Sequence, residues 1–163
     1  MSISAVEVQY MITLVKATNE HIEKLTALSK AAFDTDISVG AEQAGGPPEY
    51  DSEKWHRKMQ KSGNLFSLFC DENLIGGAVL FTDRNSPAVL YVGRIFIDPL
   101  HHRQGYGMEL MKQIELAFPE VKIFRLETPF WNRRTYAFYT KCGFIEKYRD
   151  AESVYFEKDL AGR

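Results

Sequence analysis

Arg94-Ile95-Phe96-Ile97-Asp98-Pro99-Leu100-His101-His102-Arg103-Gln104-Gly105-Tyr106-Gly107-Met108 is the stretch on which the fold turns. Apolar, β-branched residues up to Ile97 read as the end of a strand. Met108, Met111, Ile114 and Phe118 then recur at helical spacing, and Pro119 stops them. Between strand and helix stand Gly105 and Gly107, which let backbone come close to a ligand because no Cβ intervenes. A helix start offers unpaired N–H groups and the positive end of its dipole, a natural seat for a phosphate or pyrophosphate. Arg103 adds a formal charge. A plain strand–helix turn remains the alternative for Gly-x-Gly alone. Two other phosphate loops are excluded: a dinucleotide fingerprint needs a third glycine where Leu110 stands, and a P-loop needs Gly-Lys-Ser/Thr.

Outward from this stretch the pattern is mixed. Upstream, residues 11–16 read as a strand. Ile22, Leu25, Leu28, Ala32 and Phe33 mark one apolar face of a helix. Residues 34–51, with Gly40, Gly45-Gly46 and Pro47-Pro48, form a long loop. A second helix is expected over 52–61, then strands over 65–71, 76–83 and 89–98. Downstream, 121–128 is a strand, 132–141 a helix ended by Gly143, and 144–149 with 153–160 a closing hairpin. Residues 11–163 form one domain of mixed α/β layers, and residues 1–10 are an extension, with Met11 as the natural start. The 163 residues, 45% hydrophobic and 26% charged, suit a globular domain. With 20 Lys+Arg against 22 Asp+Glu, the net charge of −2 gives no general reason to seek nucleic acid or a membrane surface. Neither Cys70 nor Cys142 belongs to a Cys-x-x-Cys pair, and no signal sequence or spanning segment is evident, so a cytoplasmic setting is expected.

A second constellation runs Asn132-Arg133-Arg134-Thr135-Tyr136-Ala137-Phe138-Tyr139-Thr140-Lys141-Cys142-Gly143-Phe144. Tyr136 and Tyr139 share a helix face, with Asn132 two turns before Tyr139. A phenol near pKa 10 is within range of a thiolate near about 8.5, so a tyrosine here can serve as an acid; core packing is the bland alternative. With both constellations in this order and spacing, the chain resembles the GNAT superfamily of acetyl-CoA-dependent N-acyltransferases. The family's Arg/Gln-x-x-Gly-x-Gly/Ala falls on His102 to Gly107, with His102 replacing the usual first residue. Its later motif, Asn-x-x-Ala-x-x-aromatic-Tyr-x-x-x-Gly-Phe, falls on Asn132, Phe138, Tyr139, Gly143 and Phe144, with Thr135 where alanine is usual.

The resemblance implies one central, mostly antiparallel twisted sheet with a parallel splayed strand pair and helices on both faces. It implies acetyl-CoA as acyl donor in the splay, held by the backbone around Ile95, Phe96 and Ile97 and by His102, Arg103, Gln104, Gly105, Tyr106, Gly107 and Met108. Asn132 would bond the pantetheine, Phe138 and Lys141 would border the cofactor, and Tyr139 would protonate the leaving thiolate. The amine would attack directly, so Cys142 is read as a small packed residue. Many relatives carry a glutamate base where Tyr91 stands. Glu127 is the substitute candidate, a merely structural or solvent-facing carboxylate being the alternative.

The acceptor side has its own signal. Asp34, Asp36, Glu42, Glu49, Asp51 and Glu53 are joined by no Lys or Arg between residues 34 and 53. An acidic lip built from Glu49, Tyr50, Asp51 and Glu53 would concentrate a small cationic amine, whereas the bland reading is a solvated loop. Arg103, Arg133, Arg134 and Lys141 are expected around the cofactor mouth. His101 and His102 lack partners at ligand spacing, so no metal is expected. A protein or peptide acceptor, a non-catalytic acyl-CoA sensor on the same fold, and a homodimer all stay open.

Overall fold

The computed structural model describes residues 10–161, so the expected extension lies outside the described residues apart from Tyr10. Its elements are β1 (Ile12–Lys16), α1 (Ile22–Asp34), α2 (Glu53–Lys61), β2 (Leu65–Cys70), β3 (Asn73–Asp83), β4 (Ser86–Ile97), α3 (Tyr106–Ala117), β5 (Ile123–Pro129), α4 (Arg133–Lys141), β6 (Ile145–Arg149) and β7 (Ser153–Asp159). The strands form a single seven-stranded sheet in the order β1-β2-β3-β4-β5-β7-β6. Every neighbouring pair is antiparallel except β4–β5.

Side-chain periodicity explains the layers. In β5, buried Phe124, Leu126 and Thr128 alternate with exposed Arg125, Glu127 and Pro129. Phe124 and Leu126 pack with Leu90, Val92, Phe156, the α3 residues Leu110, Met111 and Ile114, and Tyr139 of α4. On the opposite face, Ile22, Leu25, Leu28 and Ala32 of α1 meet Leu65, Val79 and Phe96, with Trp55 and Met59 of α2 beside them. Ser52 starts α2 by accepting a hydrogen bond from the Trp55 N–H at 3.0 Å.

Two strands extend beyond their expected starts. β4 begins at Ser86, which pairs with Asp83 across a two-residue loop. The register slips between Thr82 and Asp83 and so absorbs Pro87, which has no N–H to give the ladder. β3 begins at Asn73 and includes Gly76 and Gly77; a Cβ at Gly77 would lie 2.8 Å from Cζ of Phe96.

The parallel pair decides where the site lies. β4 and β5 are paired only at Val89–Ile123, Leu90–Phe124 and Tyr91–Arg125. Beyond that, β4 stays with β3 and β5 with β7, leaving a gap between them. Within β4, Val79 pairs with Arg94 and Leu80 with Val92, so Gly93 is an extra, bulged residue. The bulge reverses which residues face β5. Before it, the Ala88 carbonyl accepts from the Lys122 N–H at 2.7 Å. After it, the Asp98 N–H donates to the Ile75 carbonyl at 2.7 Å, so by alternation Phe96 faces β3 while Ile95 and Ile97 turn their backbone groups into the gap.

Candidate active site

The loop between β4 and α3 presents backbone. Gly105, the residue before α3, has φ 84°, and Arg103 has φ 63°. A Cβ at Gly105 would meet nothing within 4 Å, so this glycine answers to its left-handed backbone and leaves the approach to the helix start open. Gly107 has another reason: a Cβ there would lie 3.0 Å from Cε2 of Phe138, so its absence lets α4 settle against the first turn of α3. The loop's side chains are mostly engaged elsewhere. The Tyr106 hydroxyl accepts from the Cys70 thiol at 3.6 Å, and the Gln104 amide donates to the Leu100 carbonyl at 3.3 Å. The Cys142 thiol meets the Met108 sulfur at 3.3 Å. Burial pushes the Cys142 thiol up to about 11, which agrees with a packed residue and not a nucleophile.

His102, the departure from the family motif, lies 2.7 Å through Nε2 from the Ile97 carbonyl. It pins the loop to the end of β4. It also occupies a carbonyl expected to face the pantetheine, which leaves Ile95 as the residue whose backbone groups face the gap without such a partner.

Tyr91 and Glu127 lie on the two strands that flank the gap, and Asn132 and Tyr139 on the α4 segment that follows β5. Tyr139 is 8% exposed and lies among Phe138, Phe144 and Phe156. Burial raises its phenol well above the ordinary value, so it stays protonated at physiological pH. Glu127 sits on the other face of the sheet, where its Oε1 accepts from the Tyr91 hydroxyl at 3.1 Å. The carboxylate thus reaches the end of the very side chain that replaces the family's base. Asn132 behaves differently from the expectation. Its Oδ1 accepts from the Thr135 N–H at 3.1 Å as the cap of α4, and the residue is 1% exposed, so its oxygen is committed to the helix. Lys141 is exposed in the last turn of α4.

The acidic segment is partly neutralised. Asp34 accepts from Lys30 at 2.6 Å and from the Tyr50 hydroxyl at 2.8 Å, bonds that hold its carboxyl below the usual range. Tyr50 therefore clamps the loop; its carbonyl also accepts from Ser29 at 2.7 Å. Asp36 forms an ion pair with Arg134 at 2.8 Å, and Arg134 also donates to Thr35 at 2.9 Å. Arg134, expected at the cofactor mouth, instead ties α4 to the turn after α1. Burial pushes the Asp36 carboxyl up, against the pull of Arg134. Glu42, Glu49, Asp51 and Glu53 are exposed. A cavity of about 690 Å³ lies beside this tie, lined by Ser38, Val39, Gly40, Phe130, Trp131 and Arg133.

The bulge at Gly93, the Asp36–Arg134 tie and the half-buried Arg94 are site features that the sequence reading does not contain. An isolated glycine inside a strand pattern was the available signal for the bulge; no local signal marks the other two.

This arrangement is a splayed parallel pair with an open helix start at its mouth. It agrees with the comparisons: residues 25–144 match the Acetyltransferase (GNAT) family, and the chain belongs to that family. It is 30% identical over 115 residues to the uncharacterized protein YrkN of Bacillus subtilis, a match covering 66% of this chain and 60% of that protein. Among solved structures, the PaiA N-acetyltransferase of Thermoplasma acidophilum in complex with coenzyme A superposes with a TM-score of 0.77 at 20% identity, over 91% of this chain and 99% of that one. A Bacillus subtilis acetyltransferase in complex with CoA gives a TM-score of 0.64 at 19% identity, over 93% and 99%. The ribosomal-protein-S18-alanine N-acetyltransferase of Escherichia coli gives 0.65 at 17% identity, over 92% and 94%. These likenesses establish the fold. Among the described residues, no helix is long and apolar enough to cross a membrane.

Proposed function

We propose that this chain is an acetyl-CoA-dependent N-acetyltransferase that acts on a small primary amine by direct attack in a ternary complex. The observation that carries the reading is the β4–β5 gap, with a phenol on one face of the sheet and a carboxylate on the other. The residues fit the donor. Gly105 leaves the helix start open, and the left-handed turn ahead of it is the kind of backbone whose N–H groups can hold a pyrophosphate. Backbone groups of Ile95, turned into the gap by the bulge, would pair with the pantetheine arm and the thioester carbonyl. Acetyl-CoA, when bound, supplies an acyl group activated as a thioester.

The chain's own groups then divide the proton work. A free alkylammonium loses its proton only near pH 10, so a base is needed. Glu127, directly or through one water, takes the proton from the amine. The Ile95 N–H stabilises negative charge on the acyl oxygen as the carbon becomes tetrahedral. Tyr139 gives its proton to the departing sulfur. The dry surroundings that raise the phenol raise the thiolate's proton affinity too, so the two remain matched. A small acceptor is favoured over a folded protein because the α1–α2 loop is tied across the site, to α4 through Asp36–Arg134 and to β4 through Pro48–Arg94. The presence of Tyr139 argues against a sensor without turnover.

The test is thiol release from acetyl-CoA with a panel of polyamines, aminoglycosides, amino acids and peptides, beside CoA binding by calorimetry. CoA binding with acetylation of a small amine supports the reading. CoA binding with no acetylation of any amine overturns it.

A further inference from the structure

We propose that Arg94 is the anion receptor of the acceptor site, so that the amine acetylated here also carries a carboxylate, as an amino acid does. This deepens the acetyltransferase reading and rests on it for the location of the acceptor. Arg94 pairs with Val79 and Tyr91 with Phe81, and because Gly93 is the bulged residue both side chains lie on one face of β4. That is the face of Glu127, which Tyr91 touches. Arg94 directly precedes Ile95, whose backbone enters the gap. The guanidinium thus shares the acceptor's face with the candidate base, and along β4 the backbone of Arg94 lies within about 10 Å of that of Tyr91 at roughly 3.3 Å per residue. That span suits an amine and a carboxylate on one small molecule.

The guanidinium is held ready and left incomplete. It lies 4.0 Å over the Trp55 ring, and its Nη2 donates to the Pro48 carbonyl. Nη1 is buried and has no acceptor among the described residues, and Arg94 belongs to none of their ion pairs. The neighbouring His56 is fully buried and gives no anion; burial disfavours its charged form. A guanidinium offers five donors in a fixed fork, and leaving a buried one unpaired is costly unless something else takes it. A carboxylate matches the fork in charge and geometry.

The cover meets the guanidinium through one hydrogen bond, to the Pro48 carbonyl. Pro48 belongs to a turn in which the Tyr50 N–H donates to the Pro47 carbonyl at 3.1 Å, and Glu49 in that turn has φ 66°. A non-glycine residue held left-handed stores strain of the kind found at ligand clamps. Gly45, just ahead, would have nothing within 4 Å of a Cβ. Exchange of the Pro48 contact for a carboxylate lets one anion take both Nη2 and the unpartnered Nη1, with Tyr50 still anchoring the turn.

The test compares amino acids with their carboxamides, which keep the shape and the amine but lose the anion. In the parent protein, kcat/KM should favour the acid at least tenfold, and in Arg94→Gln that ratio should fall to near one. A purely structural role for Arg94 would lower both acceptors together and leave the ratio alone. Calorimetry gives a second readout without turnover. N-acetyl amino acids should bind the parent, with and without CoA, at least tenfold more tightly than their amides. Equal handling of acid and amide by the parent overturns the proposal, even if Arg94→Gln fails to fold. Discrimination without any thiol release would sink the transferase reading and leave Arg94 as a carboxylate receptor only; thiol release without discrimination would overturn the receptor and keep the transferase.

Discussion

Replacing Gly105 by valine tests the proposed cofactor loop at an exposed position. Gly105 has φ 84°, and a Cβ there meets nothing within 4 Å, so the substitution creates no clash in the free protein. Its cost is conformational: a left-handed L-residue costs about 1–2 kcal/mol, and a β-branched one stands at the upper end. The free loop sits on an open surface and can relax to negative φ. The bound loop cannot, because the N–H groups must keep their aim at the pyrophosphate. Binding therefore restores the strain, and the isopropyl group also occupies the open face that the phosphates approach. A penalty of at least about 1.4 kcal/mol corresponds to a tenfold rise in the CoA dissociation constant. The assay is calorimetric titration of CoA into parent and variant, with circular dichroism to establish folding. A folded Gly105→Val protein with unchanged CoA affinity would refute the assignment of this loop.

Tyr139→Phe keeps the packing against Phe138, Phe144 and Phe156 but removes the proton. Turnover should fall by roughly 10²–10⁴ with CoA affinity within about twofold; near-parental turnover, with chemistry rate-limiting, would move the role elsewhere. Glu127→Gln should lower kcat/KM by roughly 10²–10⁴ with CoA affinity unchanged, and a near-parental kcat/KM would return Glu127 to a surface role. With Asp34 and Asp36 already paired, combined Glu49→Gln, Asp51→Asn and Glu53→Gln should raise acceptor KM and weaken its salt dependence, as exposed charges are screened over about 10 Å at 0.1 M salt. Cofactor binding should not change. An unchanged acceptor KM would mark the loop as solvated surface. His56 is disfavoured as a cation by burial, so its folded pKa lies below the unfolded value of about 6.5. As pH falls below that value the unfolded chain binds the proton first, and stability declines until the folded pKa is reached. Melting curves from pH 8 to 5 should show a decline that His56→Gln reduces.

Part of the molecule was legible in the residues themselves. Apolar spacing, β-branched content and turn residues placed the seven strands and four helices of the described residues, because such segments carry their own local signals. Gly105, Gly107 and the Asn132–Phe144 pattern declared the family, since a positive φ, a close helix contact and a helix cap are needs of a few adjacent residues. Asn132 shows the limit of such reading: the resemblance assigns it to the pantetheine, whereas in the structure its oxygen caps α4. Glu127 was a candidate on strand position alone; its meeting with the Tyr91 hydroxyl depends on the short register of β4 against β5.

Other features required the tertiary structure. The Asp36–Arg134 ion pair joins residues 98 apart, and the Arg94–Pro48 hydrogen bond joins residues 46 apart. Neither partner carries a local mark of the other, because their meeting depends on how helices seat on the sheet. The acidic segment read as an open lip because its sequence holds no base; packing brought the cations from Lys30 and Arg134, outside the segment. The gap follows the same rule. Hydrophobic pattern can state that β4 and β5 are strands, but where they part depends on the stronger claims of β3 and β7 on their outer edges. The single extra residue at Gly93 then decides which backbone groups enter the opening.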